Sequence, residues 1–535
     1  MSTSGTSNIT SAFIDLATYD ALEQFMYGGQ KAISYFVRFH TKATWFSHIP
    51  TKLSNTGTAA FGSTSWSSSV SRAGDYLLYS WLRLTIPAVA LDPVKANCDL
   101  TGVHGPADLY RINPTDGARR VRWTRNFMHN LIKEALLNFN DITAARLDNF
   151  FLDFWSAYTL PAGKRDGYYA MIGNIDALIN PCNVATPPLS MRAKLNTEGT
   201  GSLPIAPPPG LVLPSMVLNL PLPFFYARDT GVALPTAALP YNDMKIQFNF
   251  RNLNELLIVD DLVTGCSRPF QMSDMDPGYI SGASLTNVEV WCDYAIVSNY
   301  ERKQMGLKPR DILIEQVQTS STQSYLATNK TNNFDIRFSH ALKALFFGLQ
   351  NTTNTSEWSN YSAASPVNVA AGINTGAITG ASAVNFTPPA CVDPIYSTAI
   401  KYENSVRQDL SSDYYSLIMP YYHALSIPTG DKVGYHLFSY ALDLVSVDPI
   451  GSTNFSKLTN VSFQFMTADV AAAAAQGSRT PGFNADSFAY GSGIAPLDGA
   501  VQQGYGRKQQ FQVVIIGLNH NVIRISGGAL GFPVL

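Results

Sequence analysis

The chain has 535 residues, with 37 Lys and Arg against 39 Asp and Glu, a net charge of -2, and 14% charged beside 12% aromatic residues. A single hydrophobic core stops growing near about 250 to 300 residues, so at least two domains are expected. Near-neutrality excludes a global pull toward phosphate backbones or anionic lipid. A charged fraction well under the roughly 25% of an average soluble protein implies a surface of small polar residues, suited to flanks buried against neighbours.

The opening "MSTSGTSNITS" has neither the basic n-region nor the apolar h-region of a secretory signal, so a cytoplasmic origin is expected. In "SAFIDLATYDALEQFMYGG" (11 to 29), Phe13, Leu16, Tyr19, Leu22, Phe25 and Met26 recur every three or four residues, and Gly28 and Gly29 supply a stop. This predicts a short amphipathic helix, a lid on the protein's own core or a docking element. In "YFVRFHTKATWFSHIPTKLS" (35 to 54) parity predicts a half-buried strand. Ile33, Tyr35, Val37, Phe39, Ala43 and Trp45 share one face; Ser34, Arg38, His40, Lys42 and Thr44 share the other. His40 sits between cations, and His48 lies roughly 26 Å further along a straight strand at about 3.3 Å per residue, so one metal does not reach both.

"RRVRWTR" holds Arg119, Arg120, Arg122 and Arg125 with an interleaved Trp123, a pattern that invites a nucleic-acid reading. Parity favours a basic outer face of Arg120 and Arg122 over an apolar inner face of Val121 and Trp123. "DNFFLDFWSAY" (148 to 158) carries Phe150, Phe151, Phe154, Trp155 and Tyr158 at helical spacing, which reads as core packing. The uncharged run 199 to 227 is too rich in proline, at 204, 207, 208, 209, 214, 221 and 223, for a membrane-spanning helix and reads as extended chain.

Most of the remainder shows period-2, turn-punctuated strands: "YLLYSWLRLTIPAVAL", "MKIQFNF", "VEVWCDYAIV", "FDIRFSHALKALFFGLQ", "GYHLFSYALDL", "VSFQF" and "QFQVVIIGLNHNVIRI". A faint repeat pairs "IQFNF" with "VSFQF", "VEVWCDYAIV" with "FQVVIIGLNHN", and "FFYARD" with "HLFSYALD", in the same order, and predicts a two-copy β architecture. The charge run "SNYERKQMGLKPRD" (298 to 311) is the natural linker between the copies. Residues 349 to 392, polar and almost uncharged, read as a long surface insertion.

Chemistry is hard to find. No HExxH, GxxxxGK[ST] or GxSxG occurs. Asp260, Asp261, Asp274 and Asp276 suggest paired acids or a calcium loop, but their settings "VDDLVTG" and "MSDMDPG" read equally as turns. Cys98, Cys182, Cys266, Cys292 and Cys391 are dispersed and odd in number, without a CxxC, which indicates buried thiols rather than disulfides or zinc. Eight N-x-S/T sequons in an Asn- and Thr-rich chain carry little weight. No catalytic, cofactor-binding or metal-binding residue is assigned.

Specific strings carry a resemblance. "VRWTRNFMHNLIKEALLNFNDITAARLDNFFLDFWSAYTLPAGKRDGYYAMIGN" (121 to 174) and "LNLPLPFFYARDTGVALPTAALPYNDMKIQFNFRN" (218 to 252) are similar to the major capsid proteins of iridoviruses, within the nucleocytoplasmic large DNA viruses. So are "FIDLATYDALEQFMYGG", "WFSHIPTKLS", "DILIEQVQ", "FSYALDL", "GSTNFSKLTN" and "NHNVIRISGGALGF". The resemblance implies an all-β tandem double jelly roll, two eight-stranded antiparallel sandwiches with a short N-terminal helix and helical or loop insertions. Its expected divisions are an arm over 1 to 29, a first roll over 30 to 305 and a second over 306 to 535. It further implies a non-catalytic subunit forming homotrimeric, pseudo-hexagonal capsomers in an icosahedral virion assembled in the host cytoplasm. The implied partners are neighbouring capsomers, minor capsid proteins and, through the N-terminal region, the internal viral membrane. Arg38, His40 and Lys42 are then candidates for solvent or neighbour contacts. The rivals are a secreted β-sandwich carbohydrate-binding protein or glycosidase, and a nucleic-acid binder resting on "RRVRWTR".

Overall fold

The computed structural model describes residues 8–38, 40–92, 119–140, 142–179, 212–261, 266–363, 393–428, 433–476 and 509–532. It divides into two units, Met1–Trp45 and Phe46–Leu535.

In the first unit the expected single helix is two, α1 (Ile9–Ala17) and α2 (Ala21–Met26). The break has a local cause: the Thr18 hydroxyl bonds back to the Asp15 carbonyl, and the Asp20 carboxylate accepts from the Ala21 N–H and starts a new helix. The strand expected in 35 to 54 forms only in its second half, Phe46–Lys52, and not over its first part, 33 to 45. The described residues of that first part are exposed, Tyr35 and Phe36 almost completely, and belong to no sheet. The ladder explains why: Phe46 pairs with Val297, and Ser298 then caps a helix, so no strand is left for the residues before Phe46 to pair with.

Among the described residues of the second unit, sixteen strands build two sandwiches and fall into two sets. The first set is β1 (Phe46–Lys52), β2 (Trp66–Ser69), β3 (Tyr76–Ile86), β4 (Ile132–Phe139), β5 (Ile142–Asp148), β6 (Met216–Leu222), β7 (Met244–Phe250) and β8 (Thr286–Val297). They form two antiparallel sheets, β1-β8-β3-β6 and β2-β7-β4-β5. The second set is β9 (Arg310–Thr319), β10 (Thr331–Ile336), β11 (Ala341–Asn351), β12 (Ile395–Tyr402), β13 (Ser405–Ser411), β14 (His436–Ser439), β15 (Val461–Thr467) and β16 (Phe511–Ser526), in sheets β9-β16-β11-β14 and β10-β15-β12-β13. Numbered within each set, both orders are 1-8-3-6 and 2-7-4-5. This is the jelly-roll topology, present twice.

Alternation builds each sandwich. Met244, Ile246, Phe248 and Phe250 of β7 point inward, as do Val461, Phe463 and Phe465 of β15, with more exposed residues between them. Pro50 and Pro221 lie in β1 and β6, the two edges of their sheet, where a missing N–H costs no ladder bond. Two of the three repeat matches join equivalent strands, β7 with β15 and β8 with β16. The third is out of step, because "FFYARD" follows β6 in a 3-10 turn whereas "HLFSYALD" opens within β14. The charge run after β8 is a helix, α6 in chain order after α3 (Phe127–Leu131), α4 (Asn149–Thr159) and α5 (Ala162–Ile172). It covers Asn299–Leu307, is capped by Ser298, and is held to the first roll by Arg302, whose Nε and Nη2 meet Asp75 at 2.7 and 2.8 Å.

Candidate assembly surfaces

The two rolls meet along a seam built by the chain that follows β5. Asp148 caps α4 by accepting from the Phe151 N–H at 2.7 Å, and the helix projects its aromatic stripe onto the second roll. Phe151, Phe154 and Tyr158 lie 6.3, 6.1 and 5.9 Å from Phe346 of β11, and Phe154 also meets Tyr361 and Tyr435 at 5.1 and 5.0 Å. The next residue, Phe347, points the other way, into the sandwich, against Phe463 at 5.3 Å. β11 is therefore buried on both faces, and its sequence "ALKALFFGLQN" is nearly continuously apolar. β5 lies beside β9, with the Gln316 amide donating to the Ala144 carbonyl at 2.8 Å and the Thr319 hydroxyl to Asp148 at 2.5 Å.

Buried ion clusters punctuate this region. Arg122, 2% exposed, meets Asp260 and Glu357 at 2.7 Å each, and both carboxylates are as deeply buried. Burial acts against its charge, but the two carboxylates outweigh it and raise the guanidinium pKa. This corrects three expectations. Arg122 is not on an outer face, because the small sheet of Arg119–Trp123, Leu257–Asp261 and Cys266–Pro269 is covered on both sides around it. Asp260 is in a strand, not a turn. The start of the 349 to 392 insertion is interior, since Gln350, Asn351, Ser356, Glu357 and Tyr361 are buried; residues 364–392 lie outside the described residues. Arg119 and Arg120 are described for backbone only.

A second cluster joins Glu315 to Lys343 at 2.5 Å and to Arg228 at 3.3 Å, with the Arg228 guanidinium stacked 3.5 Å over Trp155. Burial pushes Arg228 down to about 10, with Glu315 opposing. A third places Asp153 among His129 at 2.7 Å, Asn126 at 2.9 Å and Ser359 at 2.6 Å. Asn130 and Arg251 are further buried members, and Arg251 stacks 3.8 Å over Trp358. Sequence reasoning missed all of these partners, which lie far apart in the chain.

One constellation has the residue types of a hydrolase. Ser412, His436 and Asp393 are mutually bonded, but the serine hydroxyl and the aspartate Oδ2 both meet Nε2 of the histidine, while the buried Nδ1 has no hydrogen-bond partner. A relay needs the acid on one ring nitrogen and the nucleophile on the other. This arrangement is a structural tie. Asp274 caps a turn and pairs with Arg268, and Asp276 caps the next helix, Pro277–Ile280, as turn residues do. Cys292 is a buried free thiol; Cys98, Cys182 and Cys391 lie outside the described residues, and Cys266 is described for backbone only. Among the described residues no group of three or more His, Cys, Asp or Glu is arranged to hold a metal ion, and no helix is long and apolar enough to cross a membrane.

Among the described residues, exposed apolar or aromatic side chains are grouped on three surfaces, besides scattered single positions. The arm exposes Phe13, Leu16, Leu22 and Phe25; Arg38, His40 and Lys42 are on the same exposed arm. The outer face of the β1-β8-β3-β6 sheet carries Tyr79, Val217 and the stacked pair Trp81 and Trp291, 6.1 Å apart. His48 is exposed beside Asp293 on that sheet, and Lys52 bonds Glu289 at 2.6 Å. The third place is β13 and the helical turns after it, with Val406, Tyr421, Tyr422 and Leu425.

Comparison with known proteins agrees with the topology. Residues 34–297 match the family described as major capsid protein N-terminus, and residues 301–490 the family described as large eukaryotic DNA virus major capsid protein. The major capsid protein of Costelytra zealandica iridescent virus is 49% identical, with 99% of each chain covered. That of Invertebrate iridescent virus 3 is 45% identical over 99% of this chain and 100% of its own. Among solved structures, a chain of the PBCV-1 virus capsid superposes with a TM-score of 0.62 at 18% identity, covering 94% of this chain and 100% of its own. The Faustovirus major capsid protein does so at 0.59 and 13%, covering 97% of each. Two jelly rolls fused along a buried seam, in a chain this close to its relatives over nearly its whole length, belong to the iridovirus major capsid proteins of the large eukaryotic DNA viruses, structural components of the capsid.

Proposed function

We propose that three copies of the chain form a pseudo-hexagonal capsomer whose six jelly rolls stand side by side, and that these capsomers tile an icosahedral shell assembled in the host cytoplasm. The observation that carries this reading is the pairing of two topologically identical rolls in one chain. Three such chains present six similar flanks, which lets a threefold object occupy a near-sixfold lattice position. Each flank contact need only be modest, since the shell repeats it many times. The exposed apolar arm fits contacts with minor capsid proteins or the internal viral membrane. The divisions we propose are an arm, a first roll ending by residue 305 and a second beginning near residue 306, with α6 as the joint. Catalysis has no place in this reading. Sedimentation velocity with negative-stain electron microscopy tests it. The expected species is three times the 58.3 kDa chain mass with a hexagonal outline. A particle that stays at one chain mass across concentration and salt sinks the proposal.

A further inference from the structure

The seam between the rolls carries a charge imbalance. The Glu315 carboxylate on β9 is shared by Lys343 of β11 at 2.5 Å and by Arg228 of the first roll at 3.3 Å, and all three side chains are at most 7% exposed. Two cations therefore meet one anion in a dry site, and the Arg228 contact is the one that crosses between the rolls. His520 adds a titratable ring to this group. In the β9–β16 ladder it lies directly opposite Glu315, and on its other side β16 pairs it with Ala341, two residues before Lys343, so the ring shares a sheet face with the carboxylate. The charged groups acting on the ring are Glu315 from β9 and Lys343 from β11. The helix α4 contributes the Trp155 ring stacked on Arg228, and the chain after β14 contributes the Ser446 carbonyl, which accepts from Lys343. Both ring nitrogens of His520 are buried with no hydrogen-bond partner among the described residues.

The buried histidines His129 and His436 are the contrast. Each rests against a carboxylate, Asp153 at 2.7 Å and Asp393 at 2.8 Å, so a proton taken up there meets an opposite charge. A proton on His520 meets a carboxylate already divided between two cations. We propose that this cluster is an acid-sensitive latch between the two rolls: protonation of His520 gives Glu315 a third cation to hold and favours an opened seam, in which Arg228 and α4 have left the second roll and water reaches the ring. The proton is then the ligand of the open state, and it shifts the population because it binds the two states differently. Burial holds the imidazole below its ordinary value of 6.5, with Glu315 opposing and Lys343 adding to the effect. A depressed imidazole contributes stability that is present above its unfolded value of about 6.5 and is lost as pH falls through the lower folded value. The latch is thus closed at neutral pH and weakens on mild acidification. It lies within one chain, so its test does not depend on how many copies associate.

Hydrogen exchange of the full-length protein, read by mass spectrometry between about pH 8 and about pH 5 at the backbone amides and at the C2 hydrogens of the histidines, tests the latch. The His520 ring should titrate below the ordinary value of 6.5. Once the intrinsic pH dependence of amide exchange is divided out, Asn149–Thr159 and Ala341–Asn351 should lose protection by up to about tenfold for each pH unit between the open and closed midpoints of the ring. Met244–Phe250 and Val461–Thr467, which line the sandwich interiors, should keep theirs. His520→Gln puts a polar side chain that takes up no proton in the same place, and should hold the seam's protection constant over the whole range. A variant seam that loosens with acid as the wild type does overturns the latch. So does a wild-type seam that acid leaves unchanged, a His520 midpoint at or above the ordinary value, or a loss of protection shared equally by the sandwich strands. The wild-type readings decide the matter even where the glutamine variant does not fold.

Discussion

At the residue scale the strongest lever is Arg122. Its two carboxylates sit 138 and 235 positions further along the chain, so parity within "RRVRWTR" placed Val121 and Trp123 correctly in the interior but carried no information about what covers the other face. Removing the guanidinium alone leaves Asp260 and Glu357 facing each other in a dry site, and Arg122→Ala is expected to cost about 3–5 kcal/mol in urea unfolding. Replacing all three by apolar residues of similar size should cost less, since no fully buried charge then remains and only the partly exposed Arg125, 3.9 Å from Glu357, loses a carboxylate. Asp75 tests a different balance. The hydrogen bonds from Arg302 hold its carboxyl below the ordinary value of 3.8, with burial opposing. A depressed carboxyl stabilises the fold above its unfolded pKa, and that contribution disappears as pH falls through the lower folded value. Asp75→Asn should therefore flatten the acid limb of a melting-temperature profile below about pH 4 and lower stability at pH 7. An unchanged acid limb would show that the pair contributes nothing.

At the element scale α4 shows what periodicity reads and what it misses. Its aromatic stripe was legible as a buried helix, yet the surface it buries belongs to the other roll, which no local pattern reveals. Phe154→Ala is expected to destabilise by about 3–5 kcal/mol and to raise amide exchange in Ala341–Asn351, because the ring it removes is shared by Tyr361 and Tyr435. Exchange confined to α4 would mean that the seam does not couple the rolls. Gly434 is a second lesson. Its φ of +85° places a Cβ against the Tyr361 carbonyl, so Gly434→Ala should lose more than about 1 kcal/mol by thermal melt, where an unstrained glycine would gain from the same change. The false strand at 33 to 45 marks the opposite error. Alternation is necessary for a half-buried strand, but a strand also needs a neighbour to bond, and that depends on where β8 stops.

At the scale of the whole molecule the two-copy plan was visible because β7 and β15, and β8 and β16, keep their inward residues in the same rhythm. The seam was hidden because burying one copy against the other erases alternation in β11 and leaves it intact in β3, so equivalent strands look unlike each other in sequence. The same reasoning separates the arm from the rolls. The first core residue in chain order is Leu53, and none of the described residues before it is buried. The apolar side chains of α1 and α2 are exposed, and the buried core residues among those described begin at Leu53. A chain beginning at Phe46 should then keep the cooperative melting transition of the full protein to within a few degrees, since a shift of about 2–4 °C corresponds to roughly 1 kcal/mol in a domain of this size class. It should also bind less of an apolar dye such as ANS, having lost Phe13, Leu16, Leu22 and Phe25 from its surface. A large fall in melting temperature would instead mean that the arm's exposed face is covered by the rolls in solution, and would move those side chains from the binding surface to the core.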